Sequence, residues 1–189
     1  MATVIVLNGA SSSGKTTVAR AFQELAPRLF LNFSIDSILY ALPLSAQERI
    51  ARSEDIADLR IRELVRAFYA CVGKLLDLGH DLVIDHAVTA RYHAELLVAA
   101  AGAHEVLIAS VDCPEQTLRQ REAARGDRRL GMASQQQRGI HLWLDHDIQI
   151  DTSRMAPEES ARVVVEALTG GPHGAIERTR ARLSATDAV

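Results

Sequence analysis

The segment that most constrains this chain runs from Gly9 to Thr16 and fits the pattern GxxxxGK[ST] at every specified position. Residues 3–8 before it form a short apolar run typical of a buried strand, and residues 15–26 after it carry apolar side chains at helical spacing. A strand, a glycine-containing loop and a helix in this order predict a phosphate-binding loop, or P-loop. The alternative, a serine-rich turn with a chance lysine, is disfavoured because both flanking elements are present.

Each residue type in this loop has a role in holding a nucleoside triphosphate with Mg²⁺. Glycine lets the backbone curl around phosphate, Lys15 reaches the outer phosphates, and the Thr16 hydroxyl ligates Mg²⁺. Only Lys15 and Lys74 are lysines among 21 basic residues, which indicates that position 15 needs a compact ammonium group. The predicted nucleotide-binding residues of this loop are Gly9, Ala10, Ser11, Ser12, Ser13, Gly14, Lys15, Thr16 and Thr17, and the full predicted set adds Arg121, Arg125 and Arg128.

Short apolar runs alternate with amphipathic segments along the rest of the chain. Strands are predicted at 3–8, 30–35, 81–86, 105–112 and 146–153, and helices at 15–26, 59–79, 90–102, 115–129 and 157–168. Residues 45–60 are polar and have no clear pattern. The alternation predicts an α/β fold, a five-stranded parallel sheet with helices on both faces, and such folds bind ligands at the carboxyl ends of their strands.

The length and net charge of the chain limit its domain organisation and its binding partners. The 189 residues fit one domain, which we place at residues 1–170. The polar tail at 171–189 is expected to be loosely attached. A net charge of −3 gives no case for binding nucleic acid or an anionic membrane. No apolar run approaches the roughly 18 to 20 residues of a membrane span, and the N-terminus lacks a basic leader, so we expect a cytoplasmic protein.

Asp36 directly follows the second predicted strand, at the sheet edge where the P-loop should lie. A carboxylate at this place could accept the proton of an attacking hydroxyl or hold Mg²⁺ through water. Aspartate is also a good helix N-cap, here for a segment starting at Ser37. Position alone does not separate these interpretations.

Asp85 ends the run DLVID, the pattern of a hydrophobic strand that closes on an acid oriented toward Mg²⁺. A turn residue at a strand end is the alternative. The next residue, His86, could contact a substrate, although a histidine at such a place is more often a polar surface group.

An arginine-rich segment at about 119–135 is predicted to form a lid. Arg121, Arg125 and Arg128 recur at spacings that place them on one helix face, and guanidinium groups pair well with phosphate oxygens. They could stabilise charge on a transferring phosphoryl group. The alternative is a solvated face paired with Glu122 and Asp127. By fold analogy, Asp151 and Thr152 after the last strand border the nucleotide base.

Five stretches taken together resemble the chloramphenicol phosphotransferase family of small P-loop kinases. In chain order they are VLNGASSSGKTT, FSIDSILYALP, DLVIDHAV, REAARGDRRLGMA and DIQIDTS, within residues 4–153. The resemblance implies a nucleotide-kinase-like fold and ATP-dependent O-phosphorylation of a small hydroxylated compound, with antibiotic inactivation as the type activity. It also implies that Asp36 is the catalytic base and that Arg121, Arg125 and Arg128 are lid arginines.

The sequence therefore predicts a kinase that uses ATP and Mg²⁺ to phosphorylate an alcohol of a small molecule. Lys15, Asp36, Arg125 and Arg128 are the predicted catalytic residues, and Thr16 and Asp85 the predicted metal ligands. One alternative is a metabolic kinase of the shikimate, gluconate or nucleotide type. Another is a nucleotide-binding regulator that transfers nothing. The acceptor and the oligomeric state are left open.

Overall fold

The computed structural model describes residues 1–52, 54–125 and 131–186. Within this part five strands form one parallel sheet in the order β2-β3-β1-β4-β5. Their bounds are β1 Thr3–Asn8, β2 Leu31–Ser34, β3 Leu82–Asp85, β4 Glu105–Asp112 and β5 Ile148–Asp151. The predicted five-stranded parallel sheet is confirmed.

Helices cover both faces of the sheet. Their bounds are α1 Lys15–Leu25, α2 Ile35–Leu39, α3 Leu44–Arg52, α4 Ile61–Asp77, α5 Arg91–Ala101, α6 Glu115–Arg125, α7 Met132–Gln137, α8 Pro157–Thr169 and α9 Ala175–Thr186, with a 3₁₀ turn at Ala57–Leu59. One face of the sheet packs against α4, α5 and α9, and the other against α1 and α8. Because both faces are buried, the strands read as continuous apolar runs rather than alternating ones.

Three short helices were not predicted from the sequence patterns. The predicted second strand ends earlier than expected because α2 begins at Ile35, where the Ser34 hydroxyl accepts the backbone N–H of Asp36 at 3.2 Å and caps the helix. The unassigned polar region contains α3, and α7 follows the arginine-rich segment. Helices this short carry too few apolar repeats for periodicity to detect.

The C-terminal segment does not match the loosely attached tail that its sequence suggested. Residues 175–186 form α9, which buries Ala175, Ile176 and Leu183 in the core. Asp147 fixes the start of this helix, because its Oδ1 accepts the backbone N–H of Ala175 at 2.8 Å. Few apolar residues anchor α9, so its pattern was weak.

None of the helices in the described ranges has the length and apolar character that a membrane crossing requires.

Gly9 lies where β1 leaves the sheet, and a side chain would not fit there. A Cβ at this position would come within 2.3 Å of the Val111 carbonyl oxygen and 2.7 Å of the Ser13 hydroxyl. We expect Gly9→Ala to lower the free energy of unfolding by roughly 1–3 kcal/mol, as overpacking does. Urea denaturation measures this. Gly139→Ala is the matched control, since its Cβ would meet no atom nearer than 3.6 Å; an equal loss in both variants would contradict the steric explanation.

Candidate active site

A cavity of about 860 Å³ opens at the carboxyl ends of the strands. Because β2 and β5 are opposite edges of the sheet, the cavity has two sides flanking the P-loop. The donor side is lined by the P-loop, Arg121, Thr152 and Met155. The acceptor side is lined by Ile35, Asp36, Leu39, Ile61, Val65, His86 and Tyr92. The sheet thus brings most of the predicted site residues to one space.

The P-loop has the backbone conformation that the motif requires. Ser12 and Gly14 adopt left-handed φ values of 63° and 95°, and the Ser13 N–H donates to the Ala10 carbonyl at 3.2 Å. The first N–H of α1 with an acceptor one turn back is that of Val18, which donates to the Gly14 carbonyl at 3.0 Å. The preceding N–H groups of the first turn are therefore oriented for an anion at the helix N-terminus.

Three serine hydroxyls in this loop indicate whether the loop can bind a phosphate chain. The Oγ atoms of Ser11, Ser12 and Ser13 are buried and have no hydrogen-bond partner among the described residues. Unpaired buried hydroxyls are costly, and they are normally satisfied by protein, water or ligand. A curled loop with unsatisfied donors at a helix N-terminus therefore fits phosphate oxygens.

Lys15, Thr16 and Asp85 meet at the floor of the cavity. The Lys15 ammonium group donates to the Ala10 carbonyl at 2.8 Å and lies 3.6 Å from Asp85 Oδ1. The Thr16 hydroxyl donates to Asp85 Oδ2 at 2.5 Å. Hydroxyl and carboxylate oxygens are suitable ligands for Mg²⁺, which usually takes only one or two protein groups besides phosphate and water. No cluster of three or more metal-ligating side chains occurs within the described ranges.

Asp36 is the second residue of α2 and lines the acceptor side of the cavity. The interpretation of Asp36 as a helix N-cap is wrong, because Ser34 occupies that position. Ser34 and Asp85 are paired across β2 and β3, and the Ser34 hydroxyl donates to the Asp85 carbonyl at 3.1 Å. Asp36 therefore follows β2, the strand next to the one that ends at the predicted metal ligand Asp85.

Arg121 is the predicted lid arginine whose contacts the structure describes. Its guanidinium group donates to the Thr152 hydroxyl at 3.1 Å and to the Thr152 carbonyl at 2.9 Å. The Thr152 hydroxyl in turn donates to the Ser13 carbonyl at 2.6 Å. Arg121 is thus held beside the P-loop. Arg128 and the side chain of Arg125 lie outside the described residues.

Two contacts of the lid segment were not predicted. Glu122 is buried and accepts the backbone N–H groups of Gly131 at 2.7 Å and Ala133 at 2.9 Å, so it fixes the start of α7 rather than pairing on a solvated face. Gln136 of α7 accepts the Ser11 N–H at 2.7 Å and so contacts the P-loop directly. No local sequence signal connects residues that lie 125 positions apart.

Thr152 lines the cavity, whereas the Asp151 carboxylate accepts from the Ser153 backbone N–H and hydroxyl at 2.9 and 2.6 Å. Asp112, another strand-end acid, belongs to a separate cleft of about 340 Å³ with His141. Burial opposes its ionisation, but hydrogen bonds from His141, Gln149 and Ser110 outweigh that effect and hold the pKa of Asp112 at about 2.

His86 is buried rather than a polar surface group. The imidazole lies beneath the acceptor side, where its Nδ1 is 2.7 Å from the Tyr69 hydroxyl and its ring centroid is 4.8 Å from that of His93. Burial, with the nearby His93 and Lys15 charges, lowers the pKa of His86 to about 3. Burial likewise lowers the pKa of His93 to about 4. Both imidazoles are therefore neutral near pH 7.

These histidines make the stability depend on pH. Together with His146, whose pKa burial lowers to about 4, they bind fewer protons in the folded protein than in the unfolded chain, where the ordinary value is about 6.5. We expect the free energy of unfolding to be level above about pH 7 and to fall below it. The expected slope is at most about 1.4 kcal/mol per pH unit for each histidine. Urea titrations between about pH 7.5 and 4.5 measure it, and a flat profile would contradict the burial of neutral imidazoles.

Comparison with known proteins identifies the family of this chain. The family model described as chloramphenicol phosphotransferase-like protein matches residues 2–169. A Mycobacterium tuberculosis protein named "Putative O-phosphotransferase Rv2636" is 30% identical over 206 residues, covering 95% of this chain and 88% of that protein.

Solved structures share the fold at lower identity. A sugar kinase from Janibacter sp. HTCC2649 has a TM-score of 0.68 at 19% identity, covering 89% of this chain and 94% of that one. The Mycobacterium tuberculosis APS kinase CysC, in complex with AMPPNP and APS, has a TM-score of 0.64 at 17% identity, covering 88% and 97%. The architecture is therefore that of P-loop kinases.

Proposed function

Because the chain belongs to the chloramphenicol phosphotransferase-like family, we propose that it is an ATP-dependent kinase that transfers the γ-phosphoryl group to a hydroxyl of a small molecule. The observation that carries this proposal is the convergence of Lys15, Thr16, Asp85 and Asp36 on one cavity. These residues supply a phosphate grip, metal ligands and a base in the space where transfer would occur.

The donor side suits ATP with Mg²⁺. The P-loop N–H groups and serine hydroxyls hold the phosphate chain, and Lys15 pairs with its outer oxygens. Thr16 and Asp85 would hold Mg²⁺, which would offset the negative charge that develops on the phosphoryl group during transfer. Arg121, with Arg125 and Arg128 as the remaining lid arginines, would close over the phosphates and exclude water.

The acceptor side suits an uncharged compound. Asp36 accepts the proton of the acceptor's hydroxyl. The oxygen of that hydroxyl bonds to the γ-phosphorus, and the bond from this phosphorus to the β–γ bridging oxygen breaks, which releases ADP. Lys15 and Arg121 are the cations among the described lining residues, and Lys15 lies in the P-loop and Arg121 on the donor side. The described residues that line the acceptor side include no lysine or arginine, so an anionic acceptor such as gluconate, shikimate or a nucleotide would gain no counterion from that lining. We therefore place a neutral hydroxylated compound of the antibiotic type ahead of the metabolic alternatives.

Product analysis tests the proposal. The protein is incubated with ATP and Mg²⁺ and with a panel of chloramphenicol, other neutral hydroxylated antibiotics, gluconate, shikimate and nucleosides. We expect ADP release that depends on an acceptor and, by mass spectrometry, a product carrying one added phosphoryl group. Binding of ATP without any phosphorylated product would instead support a nucleotide-binding regulator. Phosphorylation confined to the anionic metabolites would contradict the neutral acceptor.

A further inference from the structure

Beneath the acceptor side lies a buried pair of side chains to which the proposed mechanism gives no role. His86 follows Asp85 at the end of β3, is 6% exposed and lines the cavity. Tyr69 lies on α4 and is 1% exposed, and its hydroxyl oxygen is 2.7 Å from Nδ1 of His86. The pair therefore links α4 to the strand end beside the P-loop.

The Tyr69 hydroxyl determines which imidazole nitrogen carries the proton. A buried O–H group needs an acceptor, and among the described residues Nδ1 of His86 is the partner of this hydroxyl. Burial raises the pKa of Tyr69, so the phenol keeps its proton and donates it. Nδ1 is then the acceptor, and the proton of the neutral imidazole lies on Nε2.

Nε2 of His86 is available to a ligand. No described side chain or backbone group forms a hydrogen bond with it, and it is not among the enclosed polar atoms that lack a partner. The small exposed part of this residue borders the cavity. His93 differs, because its Nδ1 accepts the Thr89 N–H at 3.3 Å. His93 holds the loop after β3, whereas His86 offers a donor.

This donor and the proposed base, Asp36, line the same cavity. Ser34 and Asp85 are paired across β2 and β3 and joined by the Ser34 hydroxyl, and each immediately precedes the segment that enters the cavity. Asp36 follows Ser34 by two residues, and His86 follows Asp85 by one. An acceptor molecule on this side therefore meets both groups at neighbouring strand ends.

We propose that His86, oriented by Tyr69, determines acceptor specificity by donating a hydrogen bond from Nε2–H to a second oxygen of the acceptor. That oxygen is a carbonyl, amide or hydroxyl, and its capture directs the other hydroxyl to Asp36. The inference rests on the proposed kinase function. His86 binds the substrate, and Tyr69 is a positioning residue that acts through it.

The surroundings of His86 define the class of acceptor. Phe68 lies with its ring centroid 5.6 Å away, and Ile61, Val65 and Tyr92 line the same side. An imidazole N–H among these groups suits an uncharged oxygen, whereas a carboxylate there would lose its hydration and meet no lysine or arginine in the described lining of this side. The acceptor class is an uncharged, partly apolar compound that carries at least two oxygen groups.

Paired variants test this role without leaving a buried polar atom unpaired. The double variant Tyr69→Phe/His86→Phe removes both partners and keeps two rings, a change that is often close to neutral for stability. We expect its kcat/KM for an acceptor phosphorylated by the wild type to fall about tenfold to hundredfold, with the KM for ATP within about twofold. The single variant His86→Gln keeps an N–H donor, so its acceptor kcat/KM should fall less than that of the double variant. His80→Gln, an exposed change at the other end of β3, is the control.

The outcomes separate this inference from the function on which it rests. A wild type that phosphorylates no compound overturns both. An active wild type whose double variant keeps its acceptor kcat/KM, or loses acceptor and ATP affinity equally, overturns only the role of His86. Nitrogen-15 NMR of the imidazole in the intact protein gives an independent result. A proton on Nε2 of His86 is expected, and a proton on Nδ1 would overturn the assignment.

Discussion

Replacing Asp36 with asparagine is expected to lower kcat by about two to four orders of magnitude, the usual contribution of a general base. The amide has nearly the same shape and still lines the acceptor side, but it cannot take the hydroxyl proton. Because Asp36 lies on α2, on the acceptor side of the cavity, the KM for ATP should change little. Steady-state kinetics with both substrates varied measures the two constants separately.

Asp77→Asn is the matched control, since Asp77 is an exposed carboxylate at the end of α4, before β3 begins, and it does not line the cavity. It should keep wild-type kcat. If Asp36→Asn retained most of its kcat, the assignment of Asp36 as base would be wrong. If it raised the KM for ATP as strongly as it lowered kcat, Asp36 would act on the nucleotide or its metal instead.

The donor side could be predicted from sequence because its information is local. The residues from Gly9 to Thr16 are contiguous, and the strand and helix that hold them are recognisable from their own apolar patterns. Asp85 could be found for the same reason, since a continuous apolar run ends on it. Sheet topology then places this acid next to the P-loop, because β1 and β3 are neighbours.

The acceptor side could not be predicted in the same way, because its contacts join distant segments. The hydrogen bond between Tyr69 and His86 links a helix to a strand end, and a lone histidine gives no sign of whether it is buried. Gln136 contacts the P-loop from α7, a helix too short for a periodic pattern. The sequence therefore predicts the residues of the donor side better than those of the acceptor side.

Replacing Lys15 with alanine should abolish most of the activity by a different route. Lys15 is 8% exposed, and its ammonium group is held 2.8 Å from the Ala10 carbonyl at the base of the P-loop. Its positive charge is placed for the outer phosphates, and a preorganised group of this kind contributes about two to three orders of magnitude to kcat. Unlike Asp36→Asn, this change should also weaken ATP binding, because the charge attracts the ground-state phosphates as well as the transition state.

The only other lysine in the chain provides the control for this prediction. Lys74 is exposed on α4, and Lys74→Ala should leave both kcat and the KM for ATP unchanged. Lys15→Arg tests the need for a compact ammonium group, because it keeps the charge but presents a planar fork in a buried space. We expect this variant to remain at least tenfold below the wild type in kcat/KM for ATP. Wild-type kinetics in Lys15→Arg would show that charge alone suffices, and wild-type kinetics in Lys15→Ala would contradict the phosphate grip.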